Sequence, residues 1–538
     1  MLRTLVAAAL VAHIGTVSAQ TPTPGTCQLG VAERDVYVSD VLARVFNTGS
    51  LFFGGSSQAA YLVPAELATS PMFAAGIWVA GFVDDELRVA GARYSNFEFW
   101  PGPLNPGATL PIPSDCSEYD RIWLVSAADI AAYESTGSAT PDLASWPVVL
   151  GAEVVDGDGV PGNYNLPGGD RPRLYGSQMA FWVMNDVGNI HSNSLTAPLG
   201  IEVRVLAFAI DNPSQPALDQ GTFYRYTLVN RNTFPIEDGR VALFADPDLG
   251  DASDDYIGTD VGRSMLYVYN ADNQDGNGTG GTYGTPPPAF GFDFLNGLQS
   301  AMYFRNGATP PQSDPTGGLQ MYQVMLGRWT DGSAMTEGGS GYNPGSSDVT
   351  AFAFPGDPAT NSYWSMRCPE QPCGSPLPPG DLRAVGATTF HLEQGEAKTL
   401  DLAMLYARGA SNLASVTALR TASDLVQARY DDGSLFPSPL NPPVTVDPRP
   451  PSSSPLLEVI PSPASDRALV RYEQEASGDV RVAVYDVLGR KVASLADGPA
   501  PAGRREVTLD AGTLAPGVYV ITVETPAGRA ARTFSVVR

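Results

Sequence analysis

Histidine is nearly missing: three occur in 538 residues, and one of them, His13, falls within the first nineteen. A nucleophile–His–acid triad would have to use His191 or His391. His191 sits in a polar loop, Gly188 to Ser194, and His391 alternates within a strand pattern, so neither position marks a catalytic base. There is no Gly-x-Ser-x-Gly elbow, no His-Glu-x-x-His, no phosphate-binding loop followed by Lys, and no dinucleotide fingerprint opening a helix. Positive charge is also scarce. Lys and Arg number 32 against 57 Asp and Glu, a net charge of −25 that would repel a phosphate backbone or an anionic membrane. This argues against nucleic-acid binding. Charged residues of both signs make up only 17% of the chain, against about 25% in typical globular proteins. The polar surface must come from Ser, Thr, Asn, Gln and Gly, as in β-rich extracellular proteins. After residue 19 no stretch reaches 18 consecutive apolar residues, so no transmembrane segment is expected once the leader is removed.

Among the features present, the first is an address. Arg3, an apolar run from Leu5 to Ile14 and the small residues Val17-Ser18-Ala19 read as a signal peptide over residues 1–19, cleaved before Gln20. Export leads to an oxidising compartment, where the four cysteines Cys27, Cys116, Cys368 and Cys373 allow three pairings. Pro369 and Pro372 restrict the short loop between Cys368 and Cys373. This favours that pair and leaves Cys27 for Cys116.

At about 150 residues per domain the length suggests three or four folded units. The charge is distributed unevenly. Residues 456–538 hold ten acids and ten bases, so residues 1–455 carry the whole −25. Eight prolines between Phe436 and Pro455 mark 436–455 as a semi-rigid linker between an acidic body, residues 20–435, and a neutral tail, residues 456–538.

The tail alternates polar and apolar residues over Arg481–Tyr485, Val518–Val523 and Thr533–Val537, with turns about every ten residues, the spacing of a small antiparallel sandwich. It also carries Pro461-Ser462-Pro463-Ala464-Ser465-Asp466, then Val484-Tyr485-Asp486-Val487-Leu488-Gly489-Arg490, then Leu514-Ala515-Pro516-Gly517-Val518-Tyr519, and a terminal Phe534 to Arg538. In these motifs the tail resembles the type A C-terminal sorting domain of the type IX secretion system. Pro461, Pro463, Asp486, Gly489, Arg490, Gly517 and Tyr519 carry the likeness, and Ser462 stands where the family usually has Asn. The resemblance implies an immunoglobulin-like sandwich that engages the type IX machinery after the signal peptide has crossed the inner membrane. The cargo is then released or attached to the cell surface.

The body also reads as strands, giving an all-β, multi-domain antiparallel sandwich whose two subdomains divide near residue 200. Ile201–Ile210, Phe223–Val229 and Val241–Phe244 suggest a meander, and Thr389–Glu393 with Thr399–Tyr406 suggest a hairpin turning at 393–396. One amphipathic helix is expected near 411–430. Leu413, Val416, Leu419 and Leu425-Val426 recur at helical spacing behind Ser411 or Asn412 as cap. The stretch from Ala75 to Gly81 through Phe99 to Leu104 looks similar to the openings of other secreted proteins bearing such a tail.

The acidic loops are the sharpest chemical signal. Asp246, Asp248, Asp251, Asp254, Asp255 and Asp260 place six carboxylates within fifteen residues. Asp272 with Asp275, and Asp156 with Asp158, form two further groups. Like charges this dense repel one another, and a hard cation with oxygen ligands relieves the repulsion, so structural calcium is the expected cofactor. No segment completes an EF-hand, because the Glu at its twelfth position is missing. The competing reading is that these are solvated turn aspartates. Trp100, Trp329, Tyr342, Tyr363 and Trp364 lie in turn-rich stretches where exposed rings could stack on sugars, though most such rings plug sandwich edges. Together these features point to a secreted or surface-attached protein with a binding or structural role, meeting a glycan or a surface protein. The alternative is a secreted carbohydrate-active hydrolase working through a carboxylate pair.

Overall fold

The computed structural model describes residues 25–38, 40–53, 59–94, 96–104, 116–276, 281–436, 457–460, 464–465, 467–474, 477–486, 491–501, 503–525 and 528–537. The expected signal peptide, nearly all of the proline-rich stretch, and Pro461, Pro463, Gly489 and Arg490 lie outside them. The chain separates into two units, Met1–Pro439 and Leu440–Arg538.

Among the described residues, the body is built on two nine-stranded antiparallel sheets. The first runs in the order Glu33–Val38, Val41–Phe46, Ser50–Leu51, Ala74–Val83, Ile236–Asp246, Leu382–Leu392 and Ser300–Arg305. The second runs Asp255–Asp260, Met265–Asn270, Ala289–Phe294, Ala397–Ala407, Gly221–Asn230, Ile201–Ala209, Gln178–Asn185 and Trp100–Pro101. Their facing sides bury one core. Strands such as Ala74–Val83, buried at nearly every position, read as continuous apolar runs. The two layers meet closely at Gly386, where a Cβ would stand 2.5 Å from Leu266 Cδ1. Glycine therefore allows the first sheet to approach the second at this point.

Three expectations for the body are corrected. It does not divide near residue 200: Gln178–Asn185 pairs directly with Ile201–Ala209, and Ala74–Val83 with Ile236–Asp246, so both sheets draw strands from either side of that point. The meander stops after two strands, because Gly221–Asn230 pairs with Ile201–Ala209 while Ile236–Asp246 crosses to the first sheet. The turn at 393–396 joins strands in opposite sheets rather than a hairpin, since Leu382–Leu392 pairs with Ile236–Asp246 and Ala397–Ala407 with Gly221–Asn230. Asn230 holds this corner: its side-chain amide donates to Leu392 O at 3.0 Å and its backbone N–H to Glu396 O at 3.0 Å.

The expected helix forms over Asn412–Asp431, with Ser411 Oγ accepting the Ala414 N–H as the cap. Its buried Val416, Leu419 and Val426 lie against the second sheet, each worth roughly 1.5–3 kcal/mol of burial. It is not the only one. Ala127–Thr136, closed by a Ser126–Asp129 capping box, and Gly318–Met325 are also helical. Phe436, placed at the start of the linker by its neighbours, is buried with the body and packs edge-on against Phe208 at 5.1 Å. Both expected disulfides are present, Cys27–Cys116 and Cys368–Cys373.

The tail pairs a three-stranded sheet, Leu457–Ile460, Arg467–Gln474 and Gly503–Asp510, with a four-stranded one, Lys491–Ala500, Gly478–Asp486, Gly517–Thr525 and Gly528–Val536. Val470, Val482, Val484, Ile521, Val523 and Phe534 fill its own core, giving an immunoglobulin-like sandwich. The geometry explains why the motifs occur together. Ala464, from the first motif, donates to Ser535 O and accepts from Val537 N–H, both at 2.8 Å, which fastens the opening of the domain to its last strand. Tyr519 stacks on Phe534 at 5.8 Å and donates its hydroxyl to Ala515 O at 2.8 Å. Asp486 lies across from Tyr519 in the ladder, and Gly517 across from Val536.

Candidate functional site

The strand Ile236–Asp246 ends in a buried carboxylate, 2% exposed. Pro247 has no N–H to donate, so the ladder stops and a loop begins. Leu382–Leu392 runs antiparallel beside it with Ala245 opposite Ala384, which brings Arg383 across from Asp246 and Asp381 to the strand's mouth. One oxygen from each of Asp246, Asp248 and Asp381 lies within 4.8 Å of the others. Tyr94 donates its hydroxyl to Asp246 Oδ2 at 2.8 Å and accepts from Arg383 Nε at 2.6 Å. Asp314 joins the group 3.8 Å from Arg383 Nε and 3.5 Å from Arg93 Nη1. Burial raises the Asp246 carboxyl to about 6, Arg383 opposing. Burial, then the charge of Asp246, raises Asp248 to about 8.

The other predicted ligands are placed differently. Asp275 accepts Asp251 N–H at 2.9 Å, and Tyr283 N–H as well. Asp254 accepts Asn270 Nδ2 at 2.6 Å and Gly276 N–H at 2.9 Å, while burial raises its carboxyl to about 6. Asp251 accepts Ser253 N–H, and Asp272 accepts Gln274 N–H. Asp255, fully buried and raised for that reason, accepts Leu249 N–H on Oδ2. Asp260 pairs with Arg263 at 3.1 Å and Arg420 at 2.9 Å, tying its turn to the long helix. Asp156 and Asp158 do converge, joined by Asp170, which the sequence reading missed. Asp170 is fully buried and takes the N–H groups of Gly157, Asp158 and Asn165.

Asp381, Asp314, Arg383 and Tyr94 were also missed, because more than a hundred residues separate Asp381 from Asp248 in the chain. The available signal was positional. Asp381 follows Pro-Pro-Gly and stands directly before a long apolar strand, the mirror of Asp246 directly after one.

His191 is buried, with its two ring nitrogens facing carbonyl oxygens, Val89 O at 2.8 Å and Asp186 O at 2.6 Å. His391 is exposed beside Glu393. Of the five rings flagged for sugar stacking, Trp100, Trp329 and Trp364 are buried, and only Tyr363 is exposed.

The fold and the tail define a β-sandwich protein with a dedicated export module. Residues 458–536 match the family described as the secretion system C-terminal sorting domain. This is the type IX sorting domain, so the protein is exported through that machinery to the extracellular space or cell surface. Among the described residues no helix is long and apolar enough to cross a membrane. No curated protein matches the chain. Solved structures similar to it include a polysaccharide lyase (10% identity, TM-score 0.19, covering 62% of this chain and 34% of the lyase). Dimeric latent PorU from Porphyromonas gingivalis shows 12% identity and a TM-score of 0.14, covering 67% of this chain and 31% of PorU. The beta-glucuronidase of Parabacteroides merdae shows 12% identity and a TM-score of 0.13, covering 56% of this chain and 28% of the enzyme. The chain thus spans about a third of the length of each.

Proposed function

We propose that the body is a binding or structural module, displayed or released outside the cell, stabilised by calcium on its acidic loops, and directed at a surface glycan or a partner protein. One observation carries the module reading: away from the Asp246–Asp248–Asp381 group, many of the side chains that could do chemistry hold the sandwich's own loops. Asp170, Asp254 and Asp275 accept backbone N–H groups, and the His191 ring nitrogens face two carbonyl oxygens. A second reading, a carbohydrate-active hydrolase, draws on Asp246 and Asp248, two neighbouring acids held at about 6 and about 8.

The test is to challenge the secreted chain with polysaccharide, ester and peptide panels while measuring glycan affinity with calcium and with chelator. The module reading expects no turnover and calcium-sensitive binding. Product release that vanishes when one carboxylate becomes its amide, with the melting temperature unchanged, would move the protein to the enzyme class. Deleting Leu456 to Arg538 removes the sorting domain. The truncated protein should accumulate in the periplasm, and its appearance in the medium at full-length levels would contradict the export route.

A further inference from the structure

Four carboxylates meet where the strand Ile236–Asp246 ends and Leu382–Leu392 begins, and each has an oxygen that is buried yet accepts no hydrogen bond: Oδ1 of Asp246, Asp248, Asp314 and Asp381. Orphaned buried acceptors are uncommon in native proteins, and each calls for an explanation. Asp246 is the clearest case, at 2% exposure with Oδ2 already taken by Tyr94. Arg383 does not supply what is missing. Its Nε is committed to Tyr94 and stays 3.6 Å from Asp246 Oδ1, and its Nη1, 3.1 Å from Asp381 Oδ1, is not aligned for a hydrogen bond. Charge points the same way. Two guanidinium groups, Arg93 and Arg383, face four carboxyl groups, so with all four ionised two negative charges are left for a cation to compensate. Each donor is a carboxylate oxygen, the chemistry that suits calcium or magnesium over zinc or copper.

Resting on the calcium reading above, we propose that Asp246, Asp248 and Asp381 bind one divalent hard cation, with Tyr94, Arg383 and Asp314 holding the ligands in position. The ion would fasten two neighbouring strands of the first sheet to the loop that leaves Asp246, joining segments more than a hundred residues apart in the chain.

The experiment is calorimetric titration of the full-length secreted protein with calcium, comparing wild type with Asp381→Asn, Asp248→Asn and, as a control, Asp156→Asn. Melting in chelator checks that each variant is folded, and Asp248→Asn carries the test if Asp381→Asn does not fold. Wild type should bind calcium, and Asp381→Asn and Asp248→Asn should each weaken that binding by about 10–100-fold, the scale on which a lost outer-shell partner already acts. Asp156→Asn should leave it unchanged. Equal affinity in wild type, Asp381→Asn and Asp248→Asn would overturn this site while calcium binding itself stood. No heat of binding with calcium, magnesium or manganese in the wild type would overturn both the site and the reading beneath it.

Discussion

Two acidic clusters in the body share composition and differ in what surrounds them. In the loop of Asp156, Asp158 and Asp170 the carboxylates are satisfied by the chain. Asp170 takes three backbone N–H groups, Asp156 takes Gly159 N–H, and Asp158 takes Val160 N–H with the amides of Asn163 and Asn165. At Asp246, Asp248 and Asp381 the backbone offers no such cradle, and buried oxygens are left without donors. Aspartates spaced two apart thus give either a self-contained turn or a cation centre, depending on whether loop N–H groups turn inward to meet them. Convergence of the oxygens alone, present in both clusters, does not separate the two.

A third carboxylate sharpens the comparison by being buried without either solution. Asp293 is held near 7 chiefly by burial, opposed by the Ser423 hydroxyl that donates to it at 2.5 Å. Its folded-state value lies above the unfolded value of about 4, so between about pH 4 and 7 the folded chain keeps a proton that the unfolded chain has lost. Stability should therefore fall as pH rises through that window, by at most about 4 kcal/mol. Asp293→Asn should make the slope shallower in denaturant titrations at stepped pH, leaving the share of the raised Asp246, Asp248 and Asp254, and an unchanged slope would rule out a contribution from Asp293.

The next effect separates the clusters directly. At 100 times its dissociation constant calcium should add about 2.7 kcal/mol to the wild type. Most of that gain should vanish in Asp248→Asn and persist in Asp156→Asn, as read from melting curves with calcium and with chelator. A comparable loss from both variants would erase the distinction. The smallest effect concerns the self-contained turn. Asp170→Ala removes the acceptor of three N–H donors on residues that water can reach, and should cost about 1–3 kcal/mol in all, equally with and without calcium. Calcium dependence of that loss would show the turn to be a cation site as well.

What could be read from the sequence follows the range of each signal. The helix over Asn412–Asp431 was legible because its cap, Ser411, and its apolar stripe are local. The helix Ala127–Thr136 carries a capping box but buries none of its residues, so it shows no stripe to read. The turn at Glu393–Glu396 has ordinary hairpin chemistry, with Gly395 at φ 80°, yet its strands enter opposite sheets. Sheet choice is set by partners such as Gly221–Asn230, far away in the chain. The site divides in the same way. Asp246 and Asp248 stood out by local density, whereas Asp381, Arg383 and Tyr94 join them only through strand pairing and packing.

The most direct test is a crystal structure of the secreted protein grown with calcium. The account predicts one ion bridging Asp246, Asp248 and Asp381 at oxygen distances of about 2.3–2.6 Å. Those carboxyl groups hydrogen-bonded to one another or to Arg383, with no ion among them, would contradict it.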